Sequence, residues 1–217
     1  MTREQVRARI HEIGIIPAVR LSSADDALFA AETVCESGIP IVEVTMTVPG
    51  ALKVISVLAR LNNGSLIVGA GTIFDAATAQ QCLDAGVGFL TTPGPVAEIV
   101  NFAAKHEKVV FPGAMTPGEL ISMWKAGADF VKIFPCAQIG GPSFVQAMKA
   151  PFHHIPLIAS GGVNQDNIVD YIRAGAAAVG IGRHLIHPDA IKRREVGWIR
   201  ELSHRYLSLV KHARGIS

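Results

Sequence analysis

The sequence has little of what marks a nucleic-acid-binding or membrane protein. Among its 217 residues, 20 Lys and Arg nearly balance 18 Asp and Glu, so the formal net charge is +2. Binding to nucleic acid or to an anionic membrane relies on concentrated positive charge, which this balance does not provide. No apolar run reaches the roughly 18 residues that a membrane-spanning helix needs. We therefore expect neither nucleic acid nor a membrane as a partner.

Cysteine is also scarce. The three cysteines, Cys35, Cys82 and Cys136, lie far apart and form no CxxC or other metal-binding pattern. Their odd number argues against a disulfide framework, and reduced thiols are typical of cytoplasmic proteins. The N-terminal segment 1–14 is charged and amphipathic and lacks the apolar stretch of a signal peptide. These features predict a cytoplasmic protein.

What the sequence does contain is an alternation of short apolar segments with helix-like segments. The apolar segments are rich in β-branched residues, which is typical of strands, and alternation with helices is typical of a parallel sheet. They recur at intervals of roughly 20 to 30 residues, the spacing of successive βα units in a barrel. The eight predicted strands are 15–20, 39–46, 66–72, 87–92, 109–113, 129–135, 155–160 and 177–182.

Capping residues mark the starts of several helices between these strands. Ser23 is placed as the N-cap of a helix that follows the first strand. Thr116 with Glu119 three residues later has the spacing of a capping box. Asn164 is expected to cap the helix after the strand at 155–160.

Eight strand–helix units predict a (β/α)₈ TIM barrel, with an extra helix at the N-terminus and one domain over residues 1–217. The alternative is an open, doubly wound sheet. Against it, the segment GAGTIF has Phe74 where a dinucleotide-binding sequence has its third glycine. In a barrel, the active site is built at the C-terminal ends of the strands.

The predicted strand 129–135 carries a lysine among apolar residues. Because residues two apart in a strand share one face, Phe130, Lys132 and Phe134 point the same way. An amine among apolar side chains is favoured in its neutral form, which attacks ketones to give a Schiff base. Such chemistry needs an acid/base group, and Glu43 is the acid within the predicted strand cores. The alternative is a Lys–Glu ion pair that only positions strands.

Two glycine-rich segments follow the last two predicted strands. ASGGVN contains Gly161 and Gly162, and GIGR contains Gly182 and Arg183. In TIM barrels, the loops after the last two strands frequently bind phosphate. Arginine can bind a phosphate group through two N–H groups at once. The segments therefore favour a phosphate site, with simple strand-to-helix turns as the alternative.

Several segments together resemble the 2-keto-3-deoxy-6-phosphogluconate (KDPG) aldolase family. That family includes the 4-hydroxy-2-oxoglutarate (KHG) aldolases and the phosphogalactonate aldolase. The matching segments occur in order between about residues 15 and 187, most of the chain. They are VEVTMTVPGA (42–51), VGAGT (68–72), TPG (92–94), FPGAMTPGEL (111–120), VKIFP (131–135), GPSFVQAMKAPF (141–152) and SGGVN (160–164).

The resemblance implies a class I aldolase, usually a homotrimer, that uses no metal and no cofactor beyond a covalent Schiff base with its substrate. Lys132 matches the Schiff-base lysine and Glu43 the general acid/base. Thr72 matches the residue that binds the pyruvate carboxylate. Pro93 and Phe134 match residues that line the pyruvate pocket.

The sequence departs from the family at several substrate contacts. Many members carry an arginine four residues after the glutamate, where this chain has Thr47. Arg20, at the end of the first predicted strand, is inferred to take the carboxylate role. In the phosphate loop, which the resemblance places at the paired glycines, Ser160 replaces a common threonine. Arg183 replaces a common serine and fits either a phosphate or a carboxylate.

The expected reaction is cleavage of 2-dehydro-3-deoxy-6-phosphogluconate to pyruvate and glyceraldehyde 3-phosphate. The partners are then small 2-oxo acid and sugar-phosphate substrates. The alternatives are the same chemistry on 4-hydroxy-2-oxoglutarate or the phosphogalactonate, a metal-dependent pyruvate aldolase, and a non-catalytic sugar-phosphate-binding barrel. The paired histidines His153–His154 and His184–His187 have no third ligand at metal spacing, so we expect no metal.

Overall fold

The structure is a computed structural model, and it describes residues 1–61 and 66–216. At its centre is one parallel sheet that agrees closely with the predicted strands. The strands are β1 (Ile15–Val19), β2 (Ile41–Thr45), β3 (Ile67–Gly71), β4 (Phe89–Thr91), β5 (Val109–Phe111), β6 (Gly113–Ala114), β7 (Val131–Ile133), β8 (Leu157–Ser160) and β9 (Ala176–Ile181).

The sheet closes into a barrel. Its strand order is β5-β4-β3-β2-β1-β9-β8-β7-β6, so its two ends, β5 and β6, are halves of one short segment of chain. β5 pairs with β4 and β6 pairs with β7, all in parallel. Pro112 divides the halves, because proline has no N–H to donate to a strand ladder. The predicted strand 109–113 therefore closes the barrel by pairing with strands on both sides. The predicted barrel is confirmed, and the alternative of an open sheet is wrong.

Helices surround the barrel, and α1 precedes β1 as predicted. In the described part of the chain, no helix is long and apolar enough to cross a membrane. The helices are α1 (Arg3–Ile13), α2 (Ala24–Glu36), α3 (Ala51–Leu61), α4 (Ala76–Asp84), α5 (Ala97–Lys105), α6 (Pro117–Lys125), α7 (Gly141–Lys149), α8 (Ile168–Arg173), α9 (Pro188–Lys192) and α10 (Val196–Ala213), with a 3₁₀ turn at Ala137–Ile139.

Two of the three predicted caps are confirmed. Ser23 accepts a hydrogen bond at the start of α2, and Thr116 forms a capping box at the start of α6. The prediction for Asn164 is wrong. Its Oδ1 accepts from the N–H groups of Asp166 and Asn167, so it stabilises a turn, and α8 begins only after that turn.

Helix α1 covers the N-terminal end of the barrel. Its residues Val6 and Ile10 are buried in the core. Arg3 donates from two nitrogens to the carboxylate of Asp129, at 3.0 Å from Nε to Oδ1 and 3.0 Å from Nη2 to Oδ2. Asp129 also accepts from the N–H of Val110 at 2.9 Å, so the carboxylate joins α1 to the β5–β7 side of the barrel.

Aromatic rings fill part of the barrel interior. The rings of Phe89 and Phe111 lie 5.0 Å apart, and those of Phe111 and Phe130 lie 6.3 Å apart edge to face. Phe89 and Phe130 each stand two residues before a buried polar residue, Thr91 and Lys132. The rings therefore form an apolar layer on the N-terminal side of these polar groups.

Candidate active site

Lys132 and Glu43 meet inside the barrel. The Nζ of Lys132, on β7, lies 3.8 Å from Oε2 of Glu43, on β2, and the two side chains are only 8% and 6% exposed. This separation is too long for a direct hydrogen bond but well within the range of strong charge attraction. The strand alternation had predicted that these two groups face one cavity, and the geometry agrees.

Thr91 is a third polar group at this point, and the sequence reasoning missed it. Lys132 Nζ donates to the Thr91 hydroxyl at 3.3 Å, and that hydroxyl donates to the carbonyl of Phe111 at 2.8 Å. Because the hydroxyl proton is directed to the carbonyl, an oxygen lone pair is turned to the lysine. The position of Thr91 near the end of the predicted strand 87–92 was the one feature of the sequence that could have indicated a role at the active site.

Phe134 bounds the lysine on the side of the barrel mouth. Lys132 Nζ lies 5.4 Å from the centroid of the Phe134 ring, within the range of a cation–π contact. Phe130, on the same strand face, is fully buried. The amine is thus held between aromatic side chains, with its polar contacts restricted to Glu43 and Thr91 among the described residues.

Thr72 follows β3 in an unusual backbone conformation. Its φ of 67° lies in the left-handed region, which β-branched residues rarely adopt. Such a conformation costs about 1–3 kcal/mol, and strained residues of this kind concentrate at functional sites. The preceding residue, Gly71, faces the carboxylate of Glu43, so the strain lies beside the lysine–glutamate pair.

Pro93 and Thr47 have different surroundings. The carbonyl oxygen of Pro93 lies so close to Gly113 that a Cβ atom on Gly113 would be 2.3 Å from that oxygen. Gly113, on β6, is the register partner of Lys132 on β7. Pro93 therefore lies against the strand next to the lysine. Thr47 is exposed, and its hydroxyl lies 2.8 Å from that of Thr45.

A cavity of about 380 Å³ opens at the C-terminal ends of β1, β8 and β9. Phe134 joins it to the lysine, because its ring both lines the cavity and lies near Nζ. Thr47, Thr72 and Pro93 are not among its described lining residues. The predicted site residues that do line it are Arg20, Phe134, Ser160, Gly161, Gly162, Gly182 and Arg183.

The glycine-rich loop after β8 packs closely on the segment after Phe134. The N–H groups of Cys136 and Ala137 donate to the carbonyls of Ser160 and Gly161 at 2.8 and 3.0 Å. Gly162 has φ 85°, and a Cβ on it would lie 2.3 Å from the Cβ of Ala137. A side chain at this position would therefore separate the two loops that form the cavity wall.

The cavity has two further polar lining residues: Gln138, which the sequence reasoning did not single out, and His184, which it considered only in a paired-histidine metal pattern. Gln138 follows the lysine strand, and His184 is adjacent to Arg183. With Arg20 and Arg183, both exposed at the rim, they give the cavity two guanidinium groups and two further polar side chains. Such a lining favours a substrate with an anionic group at its far end.

Cys136 lies just behind this wall and is not suited to nucleophilic attack. Burial raises the pKa of its thiol to about 11, so the thiol is protonated at neutral pH. Within residues 1–61 and 66–216, no three His, Cys, Asp or Glu side chains are grouped as metal ligands.

Comparisons with known proteins agree with this geometry. The family model for KDPG and KHG aldolase matches residues 6–202. The 2-dehydro-3-deoxy-phosphogluconate aldolase of Pseudomonas aeruginosa is 28% identical over 216 residues, 97% of this chain and 98% of that protein. The 2-dehydro-3-deoxy-6-phosphogalactonate aldolase of Escherichia coli is 29% identical over 175 residues, 80% of this chain and 85% of that protein.

A solved structure from Legionella pneumophila is also similar. It is a KDPG aldolase with pyruvate captured at low pH as a covalent carbinolamine intermediate. It shares 29% sequence identity with this chain, superposes with a TM-score of 0.84, and covers 91% of this chain and 95% of its own.

Proposed function

Because the chain belongs to the KDPG and KHG aldolase family of class I pyruvate aldolases, we propose that it cleaves 2-dehydro-3-deoxy-6-phosphogluconate reversibly into pyruvate and glyceraldehyde 3-phosphate. The observation that carries this proposal is the buried pair of Lys132 Nζ and Glu43 Oε2, 3.8 Å apart. Pyruvate bound covalently as a carbinolamine in the Legionella relative supports the same chemistry at Lys132.

In this proposal, Lys132 begins the reaction as a nucleophile. Glu43 takes a proton from the Lys132 ammonium, the neutral amine attacks the carbonyl carbon C2 of the substrate, and a C–N bond forms as the C=O π bond breaks. The extra proton on the nitrogen then moves to the oxygen to give a carbinolamine. Glu43 then donates a proton to the departing hydroxyl, which leaves as water and yields a protonated imine. Because Nζ and Oε2 are only 3.8 Å apart, a water or substrate oxygen that contacts both groups lies beside the pair and not between its members.

Glu43 next acts as a base. Its carboxylate takes the proton of the C4 hydroxyl, and the C3–C4 bond breaks as the C4 oxygen becomes the aldehyde oxygen. The electron pair of that bond moves toward the imine nitrogen and leaves an enamine on Lys132. Protonation of the enamine at C3, followed by hydrolysis of the imine, releases pyruvate and restores the amine.

The remaining predicted residues hold the two ends of the substrate. Arg20 and Arg183 line one cavity, and we assign Arg20 to the carboxylate and Arg183 to the phosphate. The backbone conformation of Thr72 and its place beyond Gly71 support a role near the reacting carbons. The proposed substrate contacts are Arg20, Thr47, Thr72, Pro93 and Phe134 for the pyruvate half, and Ser160, Gly161, Gly162, Gly182 and Arg183 for the phosphate.

One observation favours a second substrate. Arg183 stands where a serine is common in the family, and its exposed guanidinium fits a terminal carboxylate as well as a phosphate. The alternative substrate is therefore 4-hydroxy-2-oxoglutarate, which has a carboxylate at that end. The phosphogalactonate differs from the gluconate in the configuration of a hydroxyl carbon and uses the same contacts.

Substrate comparison tests the assignment. We expect pyruvate release with the highest kcat/KM on 2-dehydro-3-deoxy-6-phosphogluconate. Arg183→Gln is expected to lower that value by about 10- to 100-fold, since hydrogen bonds to charged groups are lost. Arg200→Gln, an exposed residue on α10, is the matched control. A higher kcat/KM on 4-hydroxy-2-oxoglutarate would make that compound the preferred substrate. If the protein released no pyruvate from any of these substrates, the proposed function would be contradicted.

We further propose that residues 1–217 form a single catalytic domain that assembles as a homotrimer. Two large apolar side chains on loops after the strands, Phe74 and Met115, are 60% and 43% exposed, which supports a contact surface. Light scattering on the eluting protein is expected to give three times the chain mass. A mass of one chain at micromolar concentration would contradict the trimer.

A further inference from the structure

A second cavity, of about 370 Å³, lies at the N-terminal end of the barrel. It is bounded by residues that precede β8 and begin β9, so it opens on the opposite end from Lys132. The last turn of α1 and the ends of α7 and α10 form its sides. Pro156, Ile172 and the small residues 175–177 provide the uncharged part of its lining.

Every titratable side chain in this lining is basic. They are His11, Lys149, His153, His154 and Arg214, and no carboxylate lines the cavity. In the described part of the chain, the hydrogen-bond partners of Lys149 and Arg214 are backbone carbonyls and not carboxylates. The cavity thus concentrates positive charge without an acidic counterpart.

The two permanent cations are fixed in place. Lys149 Nζ donates to the carbonyls of His153 and Ile155 at 2.7 and 2.8 Å. Arg214 donates from Nη1 to the carbonyl of Glu12 at 2.7 Å and from Nη2 to that of Ala177 at 2.8 Å. These bonds hold both cations at the cavity and leave the Nε–H and other N–H groups of the guanidinium for a ligand.

Two glycines have no side chain where the side chains of Arg214 and Lys149 lie. A Cβ on Gly14 would lie 2.5 Å from Nη2 of Arg214, and one on Gly175 would lie 3.0 Å from Cγ of Lys149. Both glycines have positive φ, at 71° and 101°, where a side chain would also strain the backbone. The backbone is therefore shaped around the two basic side chains.

Partial burial of these charges has a cost. Burial lowers the pKa of Lys149 and also that of Arg214, because each charged form loses contact with water. The backbone carbonyls that accept hydrogen bonds from the two cations offset part of this cost, but no carboxylate lines the cavity to balance the charge itself. An anion bound between the two cations would balance that charge.

We propose that this cavity binds a small, multiply charged phosphate compound, at a site separate from the one at the barrel mouth. Arg214 supplies a planar fork of donors for phosphate oxygens, and His153 and His154 supply further donors at the rim. The volume suits a ligand of small-molecule size. A bound anion would join α1, α7 and α10 and so stabilise the folded state. The proposal does not depend on the reaction catalysed at Lys132.

Inorganic pyrophosphate is the probe for this site, and citrate is the comparison for polycarboxylates. The titrations use the full chain carrying Arg183→Gln, so that the barrel-mouth cavity contributes little. Calorimetry is expected to show pyrophosphate binding, with an increase in melting temperature and weaker binding of citrate. Adding His153→Gln with His154→Gln, or Arg214→Gln, is expected to weaken the binding of pyrophosphate by about tenfold or more.

Arg200→Gln is the charge-matched control, because it removes one exposed cation from α10, the helix that Arg214 follows, and lies outside the cavity. Equal weakening by Arg200→Gln would mean nonspecific attraction and would overturn the proposal. The proposal would also be overturned if the double histidine variant bound pyrophosphate with unchanged affinity. It would be overturned as well if the chain with Arg183→Gln as its only substitution bound no pyrophosphate. The exposed histidines keep the test decisive if Arg214→Gln does not fold.

Discussion

A Cβ atom on Gly71 would lie 1.9 Å from Oε1 of Glu43. Gly71 is the last residue of β3 and pairs in register with Thr45, two residues beyond Glu43 on β2. The absence of a side chain at this one position therefore lets the carboxylate lie against β3, where it faces Lys132. The acid/base geometry depends on the neighbouring strand as well as on Glu43 itself.

Replacing Gly71 by alanine is expected to displace the carboxylate. A shift of about 1 Å in a reacting group lowers rates by about 100-fold, so we expect a loss of that order in kcat. The control is Gly118→Ala in α6, where an added Cβ meets no atom within 4 Å. Steady-state pyruvate release is the measurement, and kcat within threefold of the parent enzyme would contradict the role of Gly71.

Glu43→Gln keeps the size of the side chain and removes its capacity to accept a proton. Because general acid/base catalysis contributes about 10²- to 10⁴-fold, kcat is expected to fall within that range. The exposed Glu36→Gln, at the end of α2, is the control and should be unchanged. Single-turnover measurements that show carbon–carbon cleavage at the parent rate would assign the proton transfer to another group.

Cys136 is expected to react slowly with alkylating reagents. Its pKa of about 11 lies far above neutrality, so almost no thiolate is present at neutral pH, and the thiolate increases only as the pH rises toward 11. Mass spectrometry after brief treatment with iodoacetamide should find Cys136 unmodified and the activity retained. In denaturant the same thiol should react fully. Rapid modification of the native protein at Cys136 would contradict its burial behind the cavity wall.

Asp129→Asn tests the closure of the N-terminal end of the barrel. The substitution removes the charge that binds Arg3, so the free energy of unfolding is expected to fall by about 1–3 kcal/mol. Activity per folded molecule should persist, because Asp129 lies at the end opposite Lys132. The exposed Asp84→Asn is the control for charge loss. Chemical denaturation and kcat measured on the same samples separate stability from catalysis.

The barrel and the lysine–glutamate pair were predictable because both depend on short-range rules. β-branched segments predict strands, alternation predicts which residues share a face, and the barrel rule selects the C-terminal strand ends. These rules placed Lys132 and Glu43 together without any knowledge of distances.

The features that the sequence did not predict correctly depend on contacts between distant segments, or on a side chain that bonds to the nearest backbone groups instead of capping a helix. Thr91 contacts Lys132 because β4 and β7 flank the closing strand formed by β5 and β6, and both side chains point into the barrel at the same level. That level depends on the register of the closed barrel, which the spacing in the sequence does not reveal. Asn164 was expected to cap a helix, but its side chain bonds to the nearest N–H groups and forms a turn first. The cationic cavity combines residues from both ends of the chain and is visible only in three dimensions.

The most direct test of the central claim is reductive trapping of the Schiff base. The protein is incubated with pyruvate and borohydride, and its intact mass is measured before and after. The account predicts one added reduced pyruvate group per chain, located on the peptide containing Lys132 and absent from the Lys132→Met variant. An unchanged mass, or a group attached to a different lysine, would contradict it.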